Sequence, residues 1–203
     1  MTDEANVIQQ VLAGDHDAFA ALVEAYEDRV YSLCLRMCGC PEDAKDLAQE
    51  ALVKAWRGLR FYRQEAAFST WLYRLTSNVC IDYLRQKKRR AAAVSLTADE
   101  DGQTRPEIPD PTPTPEEQTL QRAAGQAVAD AMALLDDDFR LILILRVVEE
   151  RSYDEIAGIM DLKVGTVKSR LARAREKLKK ILLQSGNGFF GENVKENRKE
   201  DAL

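Results

Sequence analysis

Between Lys163 and Lys180 the chain sets eight basic residues against one acid, Glu176. Arginine can grip a guanine edge with two hydrogen bonds and lysine can neutralise phosphate, so a run of this density has the chemistry of a DNA-reading face. The run belongs to a longer pattern. Ile156, Ala157 and Met160 recur at helical spacing, the short break DLK follows, and Val167, Leu171, Ala174 and Leu178 form the apolar stripe of a second, longer helix. Ser152 and Glu155 stand ahead of the first helix at the spacing of a capping box. Two helices crossed over a small core make a helix-turn-helix, whose second helix enters the major groove. Thr166, Lys168, Ser169, Arg170, Ala172, Arg173, Lys177 and Lys180 then point outward from it. A charge run alone is usually a solvated face; cap, packing and charge together point to duplex DNA.

A second constellation is aromatic. Trp56, Phe61, Tyr62, Phe68, Trp71, Tyr73 and Tyr83 are half of the chain's aromatic residues, and Arg57, Arg60, Arg63 and Arg74 are interleaved with them. Unpaired bases stack on exposed rings while arginine follows the backbone, so such a surface suits a single strand. Some of these rings must be core, and Trp71 and Tyr73 cannot both be buried on one simple helix face. A third face carries Asp46, Gln49, Glu50, Val53 and Arg57; charged faces are often only solvated, and spacing alone names no partner. The four cysteines, Cys34, Cys38, Cys40 and Cys80, lack the Cys-x2-Cys spacing of a zinc site, and Cys34 and Cys38 fall on an apolar helix face, so buried thiols are expected. With no glycine-rich phosphate loop, no metal cluster and one histidine, His16, in a polar turn, no enzyme, cofactor, metal or small-molecule substrate is expected.

The elements that position these residues read as helices throughout. Phe19, Leu22, Val23, Tyr26, Val30, Leu33, Cys34 and Met37 make one stripe ending near Gly39. Pro41 restarts the chain as a helix with Glu42 and Asp43 in its first turn, turning Ala44, Leu47, Ala51, Ala55 and Leu59 inward. A third helix covers about Phe68 to Arg90, and further helices are expected over 116–135, 138–149, from Tyr153, and on to about Leu183. Five of the six prolines lie within residues 106–115, which excludes helix or central strand there. The predicted fold is therefore all-α: two small helical domains, 1–92 and 118–185, joined by a flexible, acidic, Pro-rich linker at 93–117, with a polar tail at 186–203. In that tail Phe189 and Phe190 either fray or dock. The net charge of −5 is concentrated in the linker, since Lys and Arg balance Asp and Glu at 13 each over residues 1–92. No stretch approaches the ~20 apolar residues of a membrane span, and the acidic MTDEANVIQQ is unlike a secretory signal, so a cytoplasmic protein is expected.

Taken in order, the stretches GDHDAFAALVEAY (14–26), EDAKDLAQEALVKAWRGL (42–59), FSTWLYRLTSNVCIDYLRQKKRR (68–90) and SYDEIAGIMDLKVGTVKSRLARAREKL (152–178) resemble those of bacterial extracytoplasmic-function sigma factors, the smallest group of the sigma-70 family. The resemblance implies a subunit that takes core RNA polymerase to promoter DNA, duplex and melted strand, and helps open it. It implies a region 2 whose Asp46, Gln49 and Glu50 meet the polymerase clamp. Tyr62 and Phe68 in a loop, with Trp71, Asn78, Asp82 and Arg85 on the following helix, would capture melted minus-10 bases. It implies a region 4 in which Lys168, Ser169, Ala172 and Arg173 read the minus-35 element, with Thr166, Arg170 and Lys177 on the same face. Ala172 and Lys163 depart from the usual pattern, where a larger side chain and a proline are frequent. An anti-sigma protein is a further implied partner. The linker either threads a basic polymerase channel or tethers the domains passively. The alternative to a sigma factor is a freestanding dimeric helix-turn-helix regulator, which needs no single-strand surface; an enzyme with an accessory DNA-binding domain has little behind it.

Overall fold

The computed structural model describes residues 4–94 and 125–184, and every regular element among them is helical. The expectations for most of the linker and for the tail, Phe189 and Phe190 included, lie outside the described residues. A short first helix, α1 (Glu4–Leu12), which the sequence reading did not anticipate, buries Val7, Ile8 and Val11, and Tyr26 donates a 2.6 Å hydrogen bond to Glu4 Oε2. Helix α2 (Phe19–Cys38) buries the expected stripe, save that Val23 is only half-buried. It stops where Gly39 adopts φ 72° and its N–H bonds Leu35 O at 2.8 Å, a left-handed cap that glycine reaches without a Cβ clash.

Cys40 is extended, as a residue before proline must be, and Pro41 opens α3 (Pro41–Gly58). Ala44, Ala48, Ala51 and Ala55 are buried on α3, and these small side chains let it lie close against α2. A single 3-10 turn at Leu59–Phe61 leads through a loop into α4 (Phe68–Val94). Beneath it the thiols of Cys34 and Cys80 meet in the core at 3.7 Å, and all four cysteines are free.

The C-terminal group consists of a helix over 125–133 (α5), α6 (Asp137–Leu143), α7 (Tyr153–Met160) and α8 (Val164–Gln184). The single helix expected over 138–149 is instead α6 followed by a π-turn at Ile144–Val148, in which Glu149 N–H reaches back to Ile144 O at 3.0 Å. The wider turn takes in an extra residue and re-aims the chain that follows it. Glu150 then sits at φ 52°, and Arg151 N–H returns to Leu145 O at 2.9 Å.

The two helical domains pack against each other. One apolar core runs from Val7 to Ala174, and α4 packs against α2 and α3 on one side and α7 on another. This resolves the crowding of α4. Tyr73 is 1% exposed because the C-terminal group covers it, whereas Trp71 remains half-buried. Arg140, 7% exposed, donates to Met132 O at 2.9 Å and Ala133 O at 2.7 Å beside the end of α5, and to Met37 O at 2.7 Å near the end of α2. A cation there suits the negative ends of both helices and joins the two groups.

Candidate nucleic-acid interface

Helix α7 begins where its sequence directs. Ser152 Oγ accepts the N–H of Glu155 at 3.2 Å, and Glu155 accepts the N–H of Ser152 at 2.9 Å, so both members of the capping box are made. The backbone N–H of Ser152 and the guanidinium of Arg151 hold the Glu155 carboxyl below its ordinary value. Asp161, left-handed at φ 54°, ends the helix, and α8 starts at Val164. Ile156 and Ile159 of α7 are buried with Val167, Leu171 and Ala174 of α8, completing the helix-turn-helix core. Ala157 and Met160 pack half-buried against this core as expected, and Ile159 joins them as a fully buried member.

The outward residues of α8 divide into two sets. Lys168, Ser169, Ala172 and Arg173 are exposed, and Ser169 Oγ is turned back to Thr166 O at 3.0 Å. Thr166, Arg170 and Lys177 are half-buried. Arg170 reaches Asp138 at 3.1 Å and Lys177 reaches Asp136 at 2.5 Å, so these two cations face the acidic start of α6. The hydrogen bond from Lys177, and then its charge, lower the pKa of Asp136. Periodicity along α8 does not reveal these partners, Asp138 in the first turn of α6 and Asp136 at its N-cap.

Around α4 the aromatic residues separate as well. Phe68 is 1% exposed, packed edge-on to Tyr26 and Tyr62, and has no face open to a base; its place among the base-capturing residues is corrected to support from beneath. Trp71 packs at a 40° tilt against both Tyr62, at 5.2 Å, and Phe68, at 5.5 Å. Tyr62 donates to Ala66 O at 2.6 Å and closes the loop, where Gln64 turns at φ 58°. Gly58 provides the room for Trp71: a Cβ there would lie 3.3 Å from the indole. Asn78, Asp82 and Arg85 are exposed along α4 at helical spacing from Trp71, and Asp82 and Arg85 approach to 3.9 Å. The sequence reading gave no separate role to Phe61, which is 71% exposed with the Arg60 guanidinium 4.7 Å over its ring. Alternation of aromatic and basic residues marked the patch but could not tell which ring stays open.

Asp46, Gln49, Glu50, Val53 and Arg57 are all exposed on α3, with Glu50 paired to Lys54 at 2.7 Å. Beside them the structure adds an apolar groove of about 610 Å³ between α2 and α3, lined by Phe19, Val23, Tyr31, Leu52, Val53 and Trp56. His16 is a surface residue set against the Trp56 ring at 5.1 Å. Among the described residues no group of three or more His, Cys, Asp and Glu could hold a metal, and no helix is long and apolar enough to cross a membrane.

An exposed basic second helix of a helix-turn-helix, a half-open aromatic cluster and an apolar groove beside the acid-and-amide face of α3, all on one helical frame, define the class as a DNA-binding factor of two helical parts. Comparison with known proteins agrees. The family description "Sigma-70 region 2" matches residues 22–90 and "Sigma-70, region 4" matches residues 125–178. The chain is 37% identical over 176 residues to the ECF RNA polymerase sigma factor SigW of Bacillus subtilis, covering 86% of this chain and 94% of that protein. It is 38% identical over 181 residues to the ECF RNA polymerase sigma-E factor of Escherichia coli K12, covering 87% of this chain and 92% of that one. The fold matches a solved sigma factor RpoE, in complex with the anti-sigma factor NepR from Bartonella quintana, with a TM-score of 0.61 at 22% identity over 81% of this chain and 96% of that one. It also matches CnrH, in complex with the cytosolic domain of CnrY, with a TM-score of 0.60 at 22% identity over 89% of this chain and 97% of that one. The chain belongs to the extracytoplasmic-function group of the sigma-70 family, the RNA polymerase sigma factors.

Proposed function

We propose that this sigma factor works in the cytoplasm as a non-catalytic subunit, using its three surfaces in one sequence of events. The observation that carries the reading is the coexistence, on one chain, of an open major-groove helix and an aromatic cage suited to an unpaired base. A duplex-only regulator has no use for the cage.

Core RNA polymerase docks on α3 through Asp46, Gln49 and Glu50, with the adjoining apolar groove receiving side chains of the partner. Acid and amide groups suit a basic partner, and the groove supplies the apolar burial that a surface of rim charges lacks. Residues 118–185 form the minus-35 unit. Arg173 is its best placed base reader, Lys168 holds phosphate, and Ser169 and Ala172 line the surface between them. Arg170 and Lys177 hold α8 on α6. Residues 1–92 form the polymerase and minus-10 unit, and 93–117 the link between the two units. A melted base leaves its stack and needs compensating contacts. Trp71 and Tyr62 offer ring faces, and Asn78, Asp82 and Arg85 offer hydrogen bonds and charge along the same side of α4. The sigma factor RpoE solved with the anti-sigma factor NepR, which shares this fold, supports such a protein as a further partner here.

Run-off transcription from genomic DNA by core polymerase, with and without this protein, tests the reading. New RNA starts sharing two spaced upstream elements are expected. Intact duplex binding by a stable dimer, with no new starts, would instead identify the freestanding regulator.

A further inference from the structure

The apolar stripe of α8 does not end with the helix-turn-helix core. Past Val167, Leu171 and Ala174 it continues as Leu178, Ile181 and Leu182, all half-buried. Leu178 forms one wall of a cleft of about 470 Å³, and the end of α2, α5 and the π-turn form the others. Leu35 and Met132 line it together with Val128, Val147 and Val148, and these three valines are 37%, 62% and 41% exposed. Exposed valines scattered singly need no explanation; gathered on one cleft they mark a contact surface. The groove between α2 and α3 is a different surface, although Tyr31 borders both.

Chain length and chemistry single out one occupant. Beyond Gln184 the sequence continues as SGNGFFGENVKENRKEDAL, in which Phe189 and Phe190 are the aromatic residues of a mainly polar segment. Leu178 stands six residues before Gln184, so about 9 Å of α8 has to be retraced at about 1.5 Å per residue. Phe189 stands five residues after Gln184, and five extended residues span up to about 17 Å. The reach is therefore sufficient, and Ser185, Gly186, Asn187 and Gly188 are the residue types that let a chain reverse.

Size and charge agree with that occupant. An apolar cavity of about 150 Å³ takes up one benzene ring, so the cleft has room for both phenyl rings. Arg36 lies exposed at the cleft with its Nε on Ser32 Oγ at 3.4 Å. Glu192, two residues after Phe190, brings the opposite charge. A tethered segment is presented at roughly millimolar effective concentration, so even a weak apolar contact is populated.

We propose that residues 185–192 turn back along α8 and seat Phe189 and Phe190 in the cleft between α2, α5 and the π-turn, which makes the tail a built-in occupant of that surface. Any partner that uses the cleft must first displace the tail. The seating does not rest on the assignment of the DNA-facing surfaces, so it stands or falls separately from the proposed function.

NMR of the full-length protein, labelled at valine and leucine methyl groups, tests this. Cross-peaks are expected from the ring protons of Phe189 and Phe190 to the methyl groups of Val147, Val148 and Leu178. Phe189→Ala with Phe190→Ala should abolish them and shift those methyl signals, while the signals of Val167 and Leu171 stay in place. The same variant should raise the fluorescence of added anilinonaphthalene sulfonate several-fold, because the dye takes to exposed apolar surface. Val147→Asp, at a position already open to water, keeps the tail intact and should weaken the cross-peaks to Val148 and Leu178. Methyl signals unmoved by the double substitution overturn the proposal. Mixing labelled with unlabelled chains distinguishes a second copy: cross-peaks found only between chains overturn the intrachain seating. Absence of cross-peaks, with dye fluorescence as high as in the double variant, leaves the cleft to a separate partner and overturns it as well.

Discussion

Arg173 and Trp71 show how differently two exposed residues can contribute. Arg173 is free on the outward side of α8, with Val167, Leu171 and Ala174 anchoring the helix behind it. Arg173→Ala should therefore cost about 1–3 kcal/mol of promoter affinity and relax preference at one base position, without loss of stability. A binding series across single-base promoter variants measures this, and an unchanged preference removes Arg173 from readout. Trp71 is wedged between Tyr62, Phe68 and Gly58 with one side open. If that open side receives a melted base, Trp71→Ala should impair transcription from duplex promoters more than from a pre-melted template. Equal losses on both templates would mean that Trp71 only packs the cage.

At the scale of elements, α3 and α7 carry opposite kinds of information. The exposed side of α3 contributes little to its own stability, so Asp46→Lys with Glu50→Lys should change folding by no more than about 0.5 kcal/mol per site while weakening association with core polymerase. Equal affinity in a titration of labelled polymerase would refute docking on this face. Helix α7, by contrast, depends on its first turn. Ser152→Ala should destabilise the helix-turn-helix by about 1 kcal/mol, read as a shift in the denaturant midpoint. The capping carboxylate makes this dependent on pH. The folded pKa of Glu155 is lowered, mainly by the N–H of Ser152, so its contribution is fully present above the unfolded value of about 4.3 and is lost as pH falls through the lower folded value. Glu155→Gln should flatten that acid limb of the stability profile; an unaltered limb would place the acid sensitivity elsewhere.

For the whole molecule, much was legible because helices carry their instructions locally. The stripe of α2, the glycine stop at Gly39, the proline start at Pro41 and the Ser152–Glu155 cap each involve residues within a few positions of one another. The outward sets on α3 and α8 followed from the same periodicity. What escaped it were relations between elements: Arg170 and Lys177 turned to α6, Phe68 sunk beneath Trp71, Phe61 left open, and the apolar groove beside α3. A 3.6-residue period tells which side a residue is on, not what stands across from it.

Tyr73 marks the boundary between the two kinds of knowledge. Its burial pushes its pKa up, to about 12, and the Glu149 carboxylate adds to the shift, so the hydroxyl stays a donor through neutral pH. Glu149 lies 76 positions away in the chain, and no local pattern announces the pair. Local sequence specifies most of the helices, the stops and starts at Gly39, Pro41 and Ser152, the outward chemistry and, through four ordered stretches, the family, but neither α1 nor the π-turn. Which of those outward residues are free, and that α4 packs on α7, emerge from the folded chain alone. The physical reason is that caps and stripes act over one or two helical turns, whereas burial and long-range ion pairs depend on which helices pack together.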